Sequence, residues 1–223
     1  MDLLRFKLHL FDLDDTLLQT RAAYYAAQEY AVDQLFEAKL LPGREEAYGQ
    51  MRWFSKRIGS VDPAAYMTAF LKNLDLYSQE NLHYLLSCYK EAYWSDLKPY
   101  PGALAYLESL VVEGKRLGLV SNGKTSTQLK KVRSAGLERF FPAECRFISG
   151  DYDWDQKKPN PYMLELALER FGVTKEEAIY YGNTQDDVLA ANLAGITSLL
   201  FGPEQIENNA PEIAKPDLQR TAW

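Results

Sequence analysis

The apolar run "LHLFDLDDTL" at residues 8–17 ends in three carboxylates, Asp12, Asp14 and Asp15. Like charges at the end of a buried strand repel one another and cost free energy to desolvate, so such a cluster calls for a cation or for chemistry. Residues i and i+2 of an extended segment share a face, which lets Asp12 and Asp14 address one pocket. One carboxylate can attack a phosphoryl group and form an aspartyl-phosphate, dividing hydrolysis into two easier steps. A second group can protonate the leaving oxygen and later take a proton from water. Other polar groups follow apolar runs further along the chain: Ser121 and Asn122, then Gly182 through Asp187.

The elements that must position these groups alternate in type. "KLHLFDL" (7–13), "KRLGLVSNG" (115–123), "ECRFISG" (144–150), "EEAIYYGN" (176–183) and "ITSLLFG" (196–202) read as strands. "TSTQLKKVRSAG" (125–136), "PNPYMLELALERFG" (159–172) and "TQDDVLAANLAG" (184–195) read as helices, the second with prolines at its start and Gly172 as its stop. The alternation implies crossovers and a mostly parallel α/β sheet, in which ligands bind beyond the carboxyl ends of the strands. Residues 18–98 differ. Helical spacing in "YYAAQEYAVDQLFEA" and "ENLHYLLSCYKEAYW", with breaks at "LPGREE" and "VDPAAY", implies an α-helical cap. It is inserted between residues 1–17 and 99–223, with hinges near 17–20 and 98–102.

Four motifs in order, "FDLDDTL", "LVSNG", "KKPNP" and "YYGNTQDDV", make the chain resemble the haloacid dehalogenase-like hydrolase superfamily over nearly its whole length. The branch is the one with a helical cap inserted after the first strand. The resemblance implies a Rossmann-like core, Mg2+ as cofactor and hydrolysis of a small phosphorylated metabolite such as a nucleotide, phosphoglycolate or sugar phosphate. It assigns Asp12 as nucleophile and Asp14 as acid/base. Relatives that dehalogenate or cleave phosphonates usually lack the second aspartate, so Asp14 favours a phosphomonoester. Ser121 would bond a phosphate oxygen and Lys158 would supply positive charge. Thr16 would order the first loop, with Asn122 and Gly123 beside the substrate. Magnesium would take the Asp12 carboxylate, the Asp14 backbone carbonyl and a carboxylate of the fourth motif. That motif departs from the family pattern, because Asn183 follows Gly182 where an aspartate is usual. Asn183 brings an oxygen without charge, and Asp187 or Asp186 is the acid that would stand in. The competing expectation is a weakly active or non-catalytic phosphate-binding protein on the same fold. The resemblance also implies a shortened C-terminal edge after "KPDLQR", where many relatives continue into a last helix.

The formal net charge of -6, with no basic stripe, argues against a nucleic-acid polymer or an anionic membrane as partner. Cys88 and Cys145 lack C-x-x-C spacing, which fits a reducing cytosol, and "MDLLRFKLHLF" is too short in its apolar core for a signal peptide. No apolar run approaches the roughly 18 residues of a membrane span. The expectation is a cytoplasmic monomer or homodimer. "DYDWDQ" (151–156) lacks the glycine and glutamate of a calcium loop and reads as a solvated loop. His9 and His83 read as packing residues, and Asp15 is as consistent with a loop or helix-cap role as with chemistry.

Overall fold

A computed structural model of the chain describes residues 2–41, 43–59, 62–202, 213 and 215–223. Contacts divide it into two compact units, Met1–Gln19 with Lys98–Trp223, and Thr20–Leu97.

In the first unit a six-stranded parallel sheet runs in the order β3-β2-β1-β4-β5-β6. The strands are β1 (Leu8–Phe11), β2 (Arg116–Ser121), β3 (Arg146–Ile148), β4 (Ala178–Gly182), β5 (Thr197–Phe201) and β6 (Leu218–Arg220). This is the expected Rossmann-like α/β sheet with one strand more than the five read from sequence. β6 pairs with β5 along Leu199–Phe201, so the last three residues of "KPDLQR" finish a sheet edge. Helices α5 (Ala103–Val112), α6 (Thr125–Ser134), α7 (Tyr162–Phe171) and α8 (Gln185–Ala194) connect or flank the strands.

Period-two alternation gives each strand two apolar faces. On one, Leu8, Leu10, Val120, Ala178 and Tyr180 pack against Met163, Leu164 and Ala167 of α7 and Ala190 and Ala191 of α8. On the other, Phe11 stacks on Tyr181 at 4.5 Å, and the Tyr181 and Tyr106 hydroxyls share a hydrogen bond of 2.7 Å. Trp223 extends this aromatic face, stacking on Phe201 at 4.4 Å and on Tyr106 at 5.1 Å.

The second unit holds α1 (Thr20–Glu37), α2 (Arg44–Ile58), α3 (Pro63–Asn73) and α4 (Gln79–Asp96). Ala23, Ala27 and Ala31 recur every four residues, and this buried small-residue face lets α1 pack closely on α4. α3 begins at the signal read in "VDPAAY": the Asp62 side chain accepts from the Ala64 N–H and Pro63 occupies the first helical position. Pro42 and Val61, within the two expected breaks, lie outside the described residues.

His9 sits fully buried in β1, its Nδ1 2.9 Å from the Tyr181 hydroxyl, while its Nε2 has no hydrogen-bond partner. It packs, as read from sequence. Burial, with Lys115 adding to it and the Phe6 backbone carbonyl opposing it, pulls its pKa from 6.5 down to about 4. The folded chain thus binds this proton less well than the unfolded one. The stability His9 leaves intact above pH 6.5 is lost as pH falls toward about 4. Urea unfolding at pH 7 and pH 5 should show wild type losing about 2 kcal/mol more than His9→Phe. Equal losses would contradict this account.

Candidate active site

Asp12 follows β1 directly, and the chain then turns through Leu13–Leu18, with both Leu17 and Leu18 N–H groups donating to the Leu13 carbonyl. Asp15 has φ 57°, a left-handed position where glycine is easiest and aspartate is among the better-tolerated alternatives. Its loop role is thereby accounted for. Trp223 fixes the end of the turn, its indole N–H donating to the Thr16 carbonyl at 3.0 Å.

Lys158 occupies the centre of the site with only 3% of its surface exposed. Its ammonium reaches Asp12 Oδ1 at 2.7 Å, Asp187 Oδ1 at 2.6 Å, the Tyr180 hydroxyl at 2.7 Å and the Val120 carbonyl at 3.2 Å. Burial lowers this lysine's pKa, but Asp12 and Asp187 outweigh it and hold the pKa above the ordinary value. Asp12 moves up, chiefly through burial and helped by Asp187 and Asp14, although Lys158 opposes the change. Asp187 ends below its ordinary range because Lys158 and Thr184 overcome its burial.

Both Asp187 oxygens are engaged. Oδ1 takes Lys158 and Tyr180, while Oδ2 accepts from the Asn183 N–H at 3.1 Å, the Thr184 N–H at 3.0 Å and the Thr184 hydroxyl at 2.6 Å. The last contacts belong to the capping box that starts α8. Gly182 permits this approach, since a Cβ there would lie 2.2 Å from the Asp187 Cβ. The Asp187 oxygens, expected on a metal, serve Lys158 and the helix start in this structure. Asp186 is exposed. Asn183 is linked to Asp12 through Thr16. Thr16 Oγ1 lies 3.5 Å from Asp12 Oδ2 and 3.4 Å from Asn183 Oδ1, and its single proton serves one of these buried oxygens at a time.

Two residues expected beside the substrate also make contacts within the protein. The Asn122 amide pairs reciprocally with the Lys158 backbone, donating to its carbonyl at 2.9 Å and accepting from its N–H at 3.0 Å. The Gly123 N–H donates to Ser149 Oγ at 2.9 Å. Asn122 therefore shapes the Lys158 loop. Ser121, buried at the end of β2, accepts from Gln128 Nε2 at 2.7 Å, which leaves its own O–H to donate elsewhere. Gln128 also donates to Asp14 Oδ2 at 2.8 Å, and Lys131 to Asp14 Oδ1 at 2.6 Å.

Sequence reading missed Gln128, Lys131, Tyr180 and Thr184. The S/T-x-x-D spacing of Thr184 and Asp187 was a usable signal for the cap. Three carboxylates, Asp12, Asp14 and Asp187, against two ammonium groups, Lys131 and Lys158, leave the cluster one negative charge.

A family model described as haloacid dehalogenase-like hydrolase matches residues 9–201. The chain belongs to this hydrolase family. It is 30% identical over 213 residues to a glyceraldehyde 3-phosphate phosphatase of Methanothermobacter thermautotrophicus, covering 95% of this chain and 92% of that one. Pyrophosphatase PpaX of Halalkalibacterium halodurans is 28% identical, covering 86% and 82%. The candidate HAD hydrolase YfnB of Bacillus subtilis, whose structure is bound to magnesium, superposes with TM-score 0.67 at 25% identity, covering 96% and 94%. Among the described residues, no helix is long and apolar enough to cross a membrane.

Proposed function

We propose that the protein is a Mg2+-dependent phosphatase of small phosphomonoesters, with Asp12 as nucleophile. The observation that carries this reading is the division of labour on Asp12: Lys158 holds Oδ1, while Oδ2 faces Thr16, which also reaches Asn183. A carboxylate so fixed keeps one oxygen for attack and is restrained from turning away. Lys158 and the Ser121 hydroxyl bind the non-bridging phosphoryl oxygens and offset their charge. Asp14 gives its proton to the leaving oxygen and then takes one from the attacking water. Asp187 acts as the anchor for Lys158.

The residues fit a hard cation. Asp12 Oδ2 and Asn183 Oδ1 compete for one hydroxyl proton, and three carboxylates stand with two ammonium groups in the cluster. No group of three or more His, Cys, Asp or Glu side chains is placed to hold a metal among the described residues, so an amide and a backbone carbonyl would complete the set. Asp12, Asn183 and the Asp14 carbonyl would hold Mg2+, which when bound neutralises charge on the transferring phosphoryl group. Two free cysteines support a reducing cytoplasm as the setting.

The test is phosphate release from a panel of phosphomonoesters, with Mg2+ and with EDTA. Glyceraldehyde 3-phosphate belongs in it because of the relatives' names, beside nucleotides and phosphoglycolate, and pyrophosphate is added as an anhydride for the same reason. Release that needs the metal supports the reading. A folded protein inert on the whole panel favours the alternative, a phosphate-binding protein weakened by Asn183. Asn183→Asp adds a charge beside Asp12 and should tighten Mg2+ binding about tenfold by calorimetric titration. Unchanged affinity would remove Asn183 from the ligand set.

A further inference from the structure

Helix α6 presents Gln128 and Lys131 three residues apart, on one face. Lys131 is 7% exposed, whereas its neighbour Lys130 is exposed. Burying a lysine is costly unless its ammonium is paired, and Lys131 spends that burial on Asp14. The two side chains take opposite oxygens of one carboxylate, Lys131 Nζ on Oδ1 at 2.6 Å and Gln128 Nε2 on Oδ2 at 2.8 Å. Gripped at both oxygens, the carboxylate cannot rotate without breaking a hydrogen bond. The same Gln128 amide donates to Ser121 Oγ at 2.7 Å and lies 3.2 Å from the Asn122 carbonyl. Asp14 and Ser121, which come from loops after different strands, are thus held in one frame by a single helix.

We propose that Gln128 and Lys131 are positioning residues that aim Asp14 at the leaving oxygen, fitting the site to phosphate esters whose alkoxide must be protonated as it departs. This rests on the phosphatase reading above and on Asp14 as its acid. In the first step an Asp12 oxygen bonds to phosphorus while the bond from phosphorus to the leaving oxygen breaks. The electron pair goes to that oxygen, which takes the proton of Asp14. In the second, a water oxygen bonds to phosphorus and gives its proton to Asp14, and the pair of the breaking Asp12–phosphorus bond returns to the Asp12 carboxylate. Gln128 and Lys131 exchange no proton. Both grip a carboxylate, the form of Asp14 once its proton has left.

An aryl ester with a nitrophenolate leaving group needs no proton, which separates aim from general integrity of the site. Steady-state rates with Mg2+ would be measured on glyceraldehyde 3-phosphate and on p-nitrophenyl phosphate. The variants are Lys131→Met, Gln128→Leu, Asp14→Asn, Lys131→Arg and the double variant Lys131→Met/Asp14→Asn. The expected result is a loss of kcat of at least about 30-fold on the alkyl ester for Lys131→Met, with the nitrophenyl ester and both KM values changed less than about threefold. Lys131→Arg should recover most of it, and the double variant should be no slower than Asp14→Asn alone. A crystal structure of Lys131→Met should show the Asp14 carboxylate displaced with Asp12 and Ser121 in place. Equal losses on both esters, additive losses in the double variant, or a faster Lys131→Met enzyme would overturn the proposal. Should Lys131→Met fail to fold by circular dichroism, Lys131→Ala carries the same comparison. Wild type inert on p-nitrophenyl phosphate and on every alkyl ester of the panel would overturn the phosphatase reading itself, a failure visible before any variant is compared.

Discussion

Asp12→Asn should lower phosphate release by at least about a thousandfold at saturating substrate and Mg2+, because an amide is a poor nucleophile in the position that must bond to phosphorus. The substitution is nearly isosteric, and Lys158 keeps Asp187, Tyr180 and the Val120 carbonyl as partners. Folding should therefore persist, and the loss should fall on kcat while substrate binding survives. Rapid quenching of wild type with labelled substrate should trap phosphate on the chain, and the variant should trap none. A variant that retained more than about a tenth of the wild-type rate would rule Asp12 out as the group that attacks.

Lys158→Met is the second large effect, and it should appear in stability as well as rate. Removing the ammonium strands two carboxylates that are 5% and 2% exposed, Asp12 and Asp187. Breaking a buried pair from one side costs about 3–5 kcal/mol, because charge is left without compensation. For a chain of this size that is a drop of roughly 10 °C in Tm, read by calorimetry. Converting Asp187 to leucine in the same chain removes one of the stranded charges and should recover part of the loss. A Lys158→Met protein as stable as wild type would mean that the three side chains do not act as one buried unit.

Much of the sheet and part of the site were legible in the sequence, for reasons that differ by element. β1, β2, β4 and β5 are short apolar runs with turn residues at their ends, and Gly172 and Gly195 stop α7 and α8 in the left-handed conformation that glycine signals. β6 was missed because "LQR" is three residues long, carries a polar residue in its middle and borders only one neighbour. The residues after the strands pointed to a common pocket, since strand direction alone brings them to one end of the sheet. Which atom meets which did not follow. Asp187 and Asn183 are both oxygen donors in one motif, and only the turn at Gly182 decides that the first meets Lys158 while the second faces Thr16. Gln128 and Lys131 lie in a polar helix whose sequence reads as a solvated face, and Tyr180 is one of 15 tyrosines. Their roles come from crossings between elements far apart in the chain.

The segments on either side of the helical insert are bound to each other before the insert begins. Gln19 N–H donates to the Lys98 carbonyl, Tyr100 N–H donates to the Leu17 carbonyl, and Leu18 bridges Pro99. The chain therefore leaves and re-enters the sheet unit through a neck about one residue pair wide, and Thr20–Leu97 is a loop whose ends are already closed. Closing a loop becomes only about 0.6 kcal/mol dearer each time its length doubles. A neck of this kind lets the length of the insert vary at small entropic cost to the pairing that closes it.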